Sequence, residues 1–138
     1  MHVIKFFTTT VILSLIFSAC KTSKSSSSSN GKSKIENFDL FYEKFHKDPV
    51  FQKSRTKFPL EGKSIVDGKE VKWTPENLPL MKVKIYDIDK KNYKSSFKKG
   101  DKSFFQKVWD SNTGFQFEAR FDLIANKWYL VYVLDQNF

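Results

Sequence analysis

The sequence predicts an α+β domain in which one or two N-terminal helices pack on a curved antiparallel sheet. Three observations carry that prediction. Phe38, Phe41, Tyr42 and Phe45 recur at the i, i+3, i+4, i+7 spacing of a single helix stripe. Three runs of strand-forming residues, 103–109, 115–124 and 127–135, close the chain with turn signals between them. Residues 35–138 hold 12 of the 15 phenylalanines and all of the tyrosines and tryptophans. At roughly 150–250 Å² buried per ring, that is enough to build one core without disulfides.

Ahead of that domain, residues 1–19 read as a signal peptide. His2 and Lys5 give a basic start, and Val11–Phe17 forms an apolar core. The core has the length of a secretory signal, about 7–15 residues, and is too short for a bilayer span of about 20. Small residues, Ser18 and Ala19, precede Cys20, the chain's one cysteine. Phe17-Ser18-Ala19-Cys20 resembles the lipobox of bacterial lipoproteins. The resemblance implies a diacylglycerol on the Cys20 sulfur, cleavage just before it and acylation of the new amino terminus. The alternative is cleavage near Ala19 that leaves a free thiol. A lone secreted cysteine has no partner for an internal disulfide, which favours the lipobox. Burying acyl chains contributes about 0.8 kcal/mol per CH₂, and about two chains anchor stably.

Residues 20–34 form a tether. Lys21–Lys34 carries four lysines, no acid and five consecutive serines, too little apolar surface to order itself. As a flexible coil it spans about 20 Å. Lys21 stands where lipoproteins kept at the inner membrane of enteric bacteria carry Asp, so the resemblance favours the outer membrane.

In the domain, Asn37 caps the first helix. Asp48-Pro49 ends it and opens a second near Pro49–Thr56, with Val50 and Phe51 inward, Lys53, Arg55 and Lys57 outward, and Phe58-Pro59-Leu60 leading away. Ser64–Val66 and Lys69–Trp73 flank Asp67-Gly68, a type I′ hairpin signal. Thr74–Pro79, with two prolines, is a loop. Met81–Tyr86 alternates apolar residues with lysine, as a strand with one wet face. Asp87–Lys102 is polar, a loop or short helix. In 115–124, Phe115, Phe117, Ala119, Phe121 and Leu123 point one way and Gln116, Glu118, Arg120 and Asp122 the other. Trp128–Leu134 is apolar on both faces, as a central strand is. The first helix lies across the apolar face of this meander.

This order of elements resembles the cystatin-like superfamily, including nuclear-transport-factor-2-like domains. Phe41–Phe45, Phe51–Leu60 and Asn126–Val131 look like an uncharacterised family of small bacterial lipoproteins with that fold. Those motifs are packing residues, so the resemblance implies fold and no activity.

The whole chain is +9, but five of its 24 basic residues precede the domain, leaving 19 against all 15 acids. Lys82–Lys102 alone holds eight lysines against three aspartates, so the basic character is local. Gly62-Lys63-Ser64 lacks the earlier glycine of a phosphate loop, with Lys57 in its place. Asp87-Ile88-Asp89 lacks the glycine and the terminal glutamate of a calcium loop. His46 is the one histidine after cleavage. With no cysteine left it makes no metal site, and it reads as a solvated helix residue. The inward positions of the middle strand are apolar and Asp122 faces out, so no paired carboxylates for acid–base work are visible. The sequence thus calls for no cofactor, no metal and no nucleic-acid partner, and for a non-enzymatic binding or accessory lipoprotein of the cell envelope.

Two surfaces are candidates for that binding. An aromatic groove between the first helix and the meander, lined by Trp73, Trp109, Trp128 and Tyr132, would hold an apolar or peptide-like ligand or another envelope protein. A patch of Lys82, Lys84, Lys90, Lys91, Lys94, Lys98 and Lys99 would hold anionic envelope lipid or glycan. A small enzyme of the cystatin-like superfamily would instead need a polar group inside the concave pocket.

Overall fold

Asn37 opens the first helix, α1 (Phe38–Lys47), by accepting a hydrogen bond from Leu40 N at 3.0 Å. Asp48 ends it and caps α2 (Pro49–Ser54), accepting from Val50 N and Phe51 N, with Pro49 in the first helical turn. The computed structural model describes residues 34–138. The expectations for the signal peptide, for Cys20 and for nearly all of the tether lie outside the described residues. Among those described, no helix is long and apolar enough to cross a membrane.

Six strands follow: β1 (Thr56–Val66), β2 (Lys69–Val71), β3 (Lys94–Lys99), β4 (Ser103–Trp109), β5 (Gln116–Ile124) and β6 (Lys127–Asn137). They form one curved sheet in the order β2-β1-β6-β5-β4-β3. The meander β4–β5–β6 is antiparallel in the register the alternation implies, with Phe104 opposite Phe121 and Ala119 opposite Val133. The β1–β2 hairpin turns at Asp67-Gly68, whose φ values of 49° and 74° are those of a type I′ turn. β6 is central, flanked by β5 and β1. The α+β class with helices on a curved sheet therefore holds, with one addition. β1 runs parallel to β6, so the sheet is mixed.

Four local expectations need correction. Val50 is 78% exposed, and Gln52 is the residue α2 buries. Its amide donates to Phe45 O and Met81 O and accepts from Met81 N, each at 2.8 Å, so a polar side chain fastens three pieces of backbone. Met81–Tyr86 is not a strand but irregular chain entering a 3-10 turn at Ile85–Asp87. Its backbone bonds go to the side chains of Gln52 and Tyr42 rather than to a neighbouring strand. The segment 87–102, read as loop or helix, contains β3, an edge strand whose lysines suit an unpaired sheet border. Phe58-Pro59-Leu60 belongs to β1, at the irregular stretch where the β1–β6 register shifts.

Phe38, Phe41, Tyr42 and Phe45 of α1 pack on Phe104, Phe121, Trp128 and Leu130. Phe121 is wholly buried, with the ring centroids of Phe45, Tyr42 and Phe41 at 5.1, 5.6 and 5.8 Å. Glu36 ties the start of the domain to the β5–β6 turn: its N–H donates to Asn126 O, and its carboxylate accepts from Trp128 N and from both terminal nitrogens of Arg55.

Lengths decide what remains uncovered. At 1.5 Å per residue α1 is about 15 Å long, whereas β6, at about 3.3 Å per residue, runs about 35 Å. The helix covers the half of the concave face near the β5–β6 turn. The other half, with Val108, Phe117, Val133 and Asp135, is roofed by the non-strand segment between β2 and β3.

Candidate functional site

That second half holds a cavity of about 260 Å³. Its floor is Val108 of β4, Phe117 of β5 and Val133 and Asp135 of β6; its walls include Trp73, Tyr93 and Phe115; its roof is the stretch from Leu78 to Val83. Trp73 is held by its indole N–H, which donates to Val133 O at 2.7 Å, leaving its ring for the cavity wall. Tyr93 and Phe115 meet edge to face, centroids 5.7 Å apart. Leu80, Val83 and Tyr93 are exposed on one side, so the rim is apolar.

Asp135 is the one carboxylate lining this space, and its side chain makes no hydrogen bond or ion pair among the described residues. Phe117 lies directly across from it in the ladder. Burial raises its pKa above the usual Asp value, because the apolar walls penalise the charged form.

A bulge in β6 puts Asp135 there. Arg120 pairs with Tyr132 and Phe121 with Leu130, so Val131 is extra. Before the bulge Trp128 and Leu130 face the core; after it Val133 and Asp135 do. Plain alternation from Trp128 would instead send Tyr132 inward and Asp135 outward. The bulge exchanges them.

The four rings expected to share a groove are consequently divided. Trp73 lines the cavity. Trp128 faces the same side but is part of the core under α1, its ring 4.9 Å from Phe38 and its indole N–H donating to Glu36 O. Tyr132 lies on the opposite face, where its hydroxyl donates to Glu118 at 3.0 Å; burial and that carboxylate push its pKa up to about 12. Trp109 lies on that opposite face as well, beside Lys107.

The lysines are dispersed too. Lys84 is paired with Glu43 at 2.7 Å and with Asp87 at 3.3 Å, and with Lys47 it holds the Glu43 carboxyl down at about 2. Lys99 is paired with Asp39. Lys82 stands at the cavity mouth, and Lys98 is on the exposed edge strand. Lys90, Lys91 and Lys94 do come together, with Trp109 and Asp110, around a separate recess of about 230 Å³ that shares Tyr93 with the apolar cavity.

Tyr42 and His46, neighbours on α1, form a buried polar spot that the sequence reading missed. The Tyr42 hydroxyl donates to Gln106 Oε1 at 2.5 Å and accepts from Ile85 N at 3.0 Å. His46 is not solvated. It is 8% exposed, its Nδ1–H donates to Tyr42 O at 2.8 Å, and its Nε2 has no partner. Desolvation lowers its pKa, so the ring is held neutral. The helix turn that aims Tyr42 at the sheet carries His46 under the 84–87 segment, which periodicity alone does not reveal. No group of three or more potential metal ligands exists among the described residues.

Residues 36–138 match the profile of an uncharacterised protein family designated only as "-like". The chain belongs to this family. No curated protein of known function is a significant match. Among solved structures, the chain is similar to a cystatin-like protein from Bacteroides caccae, with 26% identity and a TM-score of 0.58 over 75% of this chain and 77% of that one. It is similar to a protein from Bacteroides uniformis solved by NMR, with 22% identity and a TM-score of 0.52 over 75% and 78%. An NTF2-like protein from Bacteroides fragilis matches at 15% identity and a TM-score of 0.52; the alignment covers 78% of this chain and 50% of that one. The chain's fold is thus the cystatin-like and NTF2-like architecture expected from the order of elements.

Proposed function

We propose that this member of the family is a lipid-anchored, non-enzymatic binding module of the cell envelope, held at the outer membrane through Cys20. Its ligand site is the cavity floored by Val108, Phe117 and Val133. One observation carries the binding reading: α1 is too short to cover the sheet, and the uncovered half is roofed so as to leave about 260 Å³ of ring-lined space open at an apolar rim. Such sites take small apolar molecules and orient them through a few polar groups. A single carboxylate has no second acid or base with which to divide catalytic roles, which supports binding over turnover.

Trp73 reports on occupancy directly. An apolar ligand should change tryptophan fluorescence saturably, and Val108→Phe, which projects a ring into the space from β4, should abolish that response while the far-UV circular dichroism stays unchanged. A response that survives Val108→Phe would place binding elsewhere and refute the site. The anchor rests on the lipobox resemblance. Mass spectrometry of the native protein should show an acylated N-terminal Cys20, and an unmodified thiol would refute it.

The recess of Lys90, Lys91 and Lys94 favours a second reading, an electrostatic site for anionic envelope lipid or glycan. Binding there should weaken steeply between low salt and 0.15 M, where screening shortens to about 8 Å, whereas cavity binding should barely respond.

A further inference from the structure

The cavity joins an aromatic lining to a single carboxylate. Trp73, Tyr93, Phe115 and Phe117 line it, and Asp135 is its only carboxylate, unpaired and facing Phe117 across the ladder. A carboxylate in apolar surroundings is costly unless something pairs with it. Lys63, the nearest cation in strand register, faces away with Leu134 and is paired with Glu70, and Arg120 cannot reach it either. Arg120 lies on the other face of the sheet, bonded to Glu61 at 2.8 Å and to Asp122 at 3.3 Å. Lys82 is at the mouth and is exposed. Among the described residues no side chain pairs with Asp135, which leaves that place open to a group on a ligand.

We infer that the ligand is a cationic amine on a small apolar body, its ammonium bonded to Asp135 and its hydrocarbon among Trp73, Phe115 and Phe117. This rests on the cavity reading above and adds the chemical class. The ammonium supplies the pairing charge that the fold withholds, and aromatic faces attract cations through their negative π surface. Burial also raises the pKa of Asp135, as a carboxylate kept from its counter-ion in apolar surroundings should show. Size agrees: about 260 Å³ is the share of roughly nine waters, which suits an amine of six or seven carbons.

The test compares n-hexylamine, 1-hexanol and hexanoate as probes, at one ionic strength and at pH 7.5. The protein is the full chain carrying Cys20→Ser, so that no acyl chain competes. Amide NMR shifts of Val108, Phe117 and Val133 locate binding and give Kd. Hexylamine should bind about ten-fold or more tighter than hexanol, as a charge-assisted hydrogen bond implies. Asp135→Asn should lower amine affinity about ten-fold or more and close the gap to the alcohol, while an unchanged far-UV circular dichroism shows that the variant is folded. Equal affinity of amine and alcohol overturns the inference and leaves the cavity reading standing. Tightest binding by hexanoate likewise overturns it and favours an anion held by Lys82 at the mouth. If no probe moves those amides, both the inference and the cavity reading fall.

Discussion

Tyr42→Phe removes one oxygen from the middle of the core and leaves the ring in place. That ring is 2% exposed and packs 5.2 Å from Phe38 and 5.3 Å from Phe104, contacts a phenylalanine keeps. What disappears is a junction. The hydroxyl joins α1 to Gln106 on β4 and to the backbone N–H of Ile85, itself 3% exposed. Burial raises the Tyr42 pKa well above the usual tyrosine value, so the hydroxyl is a neutral donor throughout the working pH range. Without it, a buried N–H and a buried carbonyl oxygen are left unpaired. Each such group costs about 1–3 kcal/mol, so the substitution should destabilise by about 2–4 kcal/mol after local relaxation. In a domain of about 100 residues that is a fall in Tm of roughly 10–20 °C. Urea unfolding followed by tryptophan fluorescence measures it, and the double variant Tyr42→Phe, Gln106→Leu supplies the control. Removing the orphaned acceptor should return about 1 kcal/mol, so the two substitutions should be less than additive. A loss below about 0.5 kcal/mol, or strict additivity, would show that the hydroxyl is not the junction described.

Other substitutions test other parts of the fold. Gly62 has a φ of +91°, and a Cβ there would lie 2.0 Å from Val133 O, so Gly62→Ala should cost about 3–5 kcal/mol from strain and from parting β1 and β6; a soluble variant with unchanged urea midpoint would contradict that pairing. His46 is neutral in the folded state and titrates normally when unfolded, so the unfolded chain binds more protons as pH falls below about 6.5. Its contribution is complete above that pH and is lost on acidification toward its lowered folded pKa, and His46→Leu should flatten the drop in stability between pH 7.5 and 5. Asp135 has the opposite sign: its folded pKa is raised, so the folded chain binds more protons and stability declines as pH rises from the ordinary Asp value through the raised one. Asp135→Asn should therefore raise Tm at neutral pH without ligand, and a lowered Tm would mean that the carboxylate has a partner.

The α1 stripe, both caps, the type I′ turn and the meander were legible because each is a local pattern with one physical solution. The middle strand's alternation fixed its faces, and Ala119 and Phe121 are indeed fully buried. What the chain did not announce depends on contacts distant in sequence. Met81–Tyr86 alternates like a strand, but Gln52 and Tyr42, 29 and 43 residues upstream of their bonded positions, claim its backbone. β3 reads as polar chain because an edge strand needs no apolar face. Trp73 lines the candidate site as the sequence suggests, but the site's polar end is hidden for a related reason. The parity of β6 changes at Val131, and nothing in Trp128–Leu134, apolar on both sides, marks the extra residue. Tyr132 therefore reads as a groove residue, and Asp135, the cavity's carboxylate, does not.

The attachment of Glu36 at the β5–β6 turn gives the domain a polarity. Phe117 and the carboxylate opposite it lie seven residues along β5 from that turn, about 23 Å at strand spacing. Chain entry and cavity mouth are thus at opposite poles of the sheet. A ligand therefore reaches the cavity from the end of the domain remote from the point where the chain enters it.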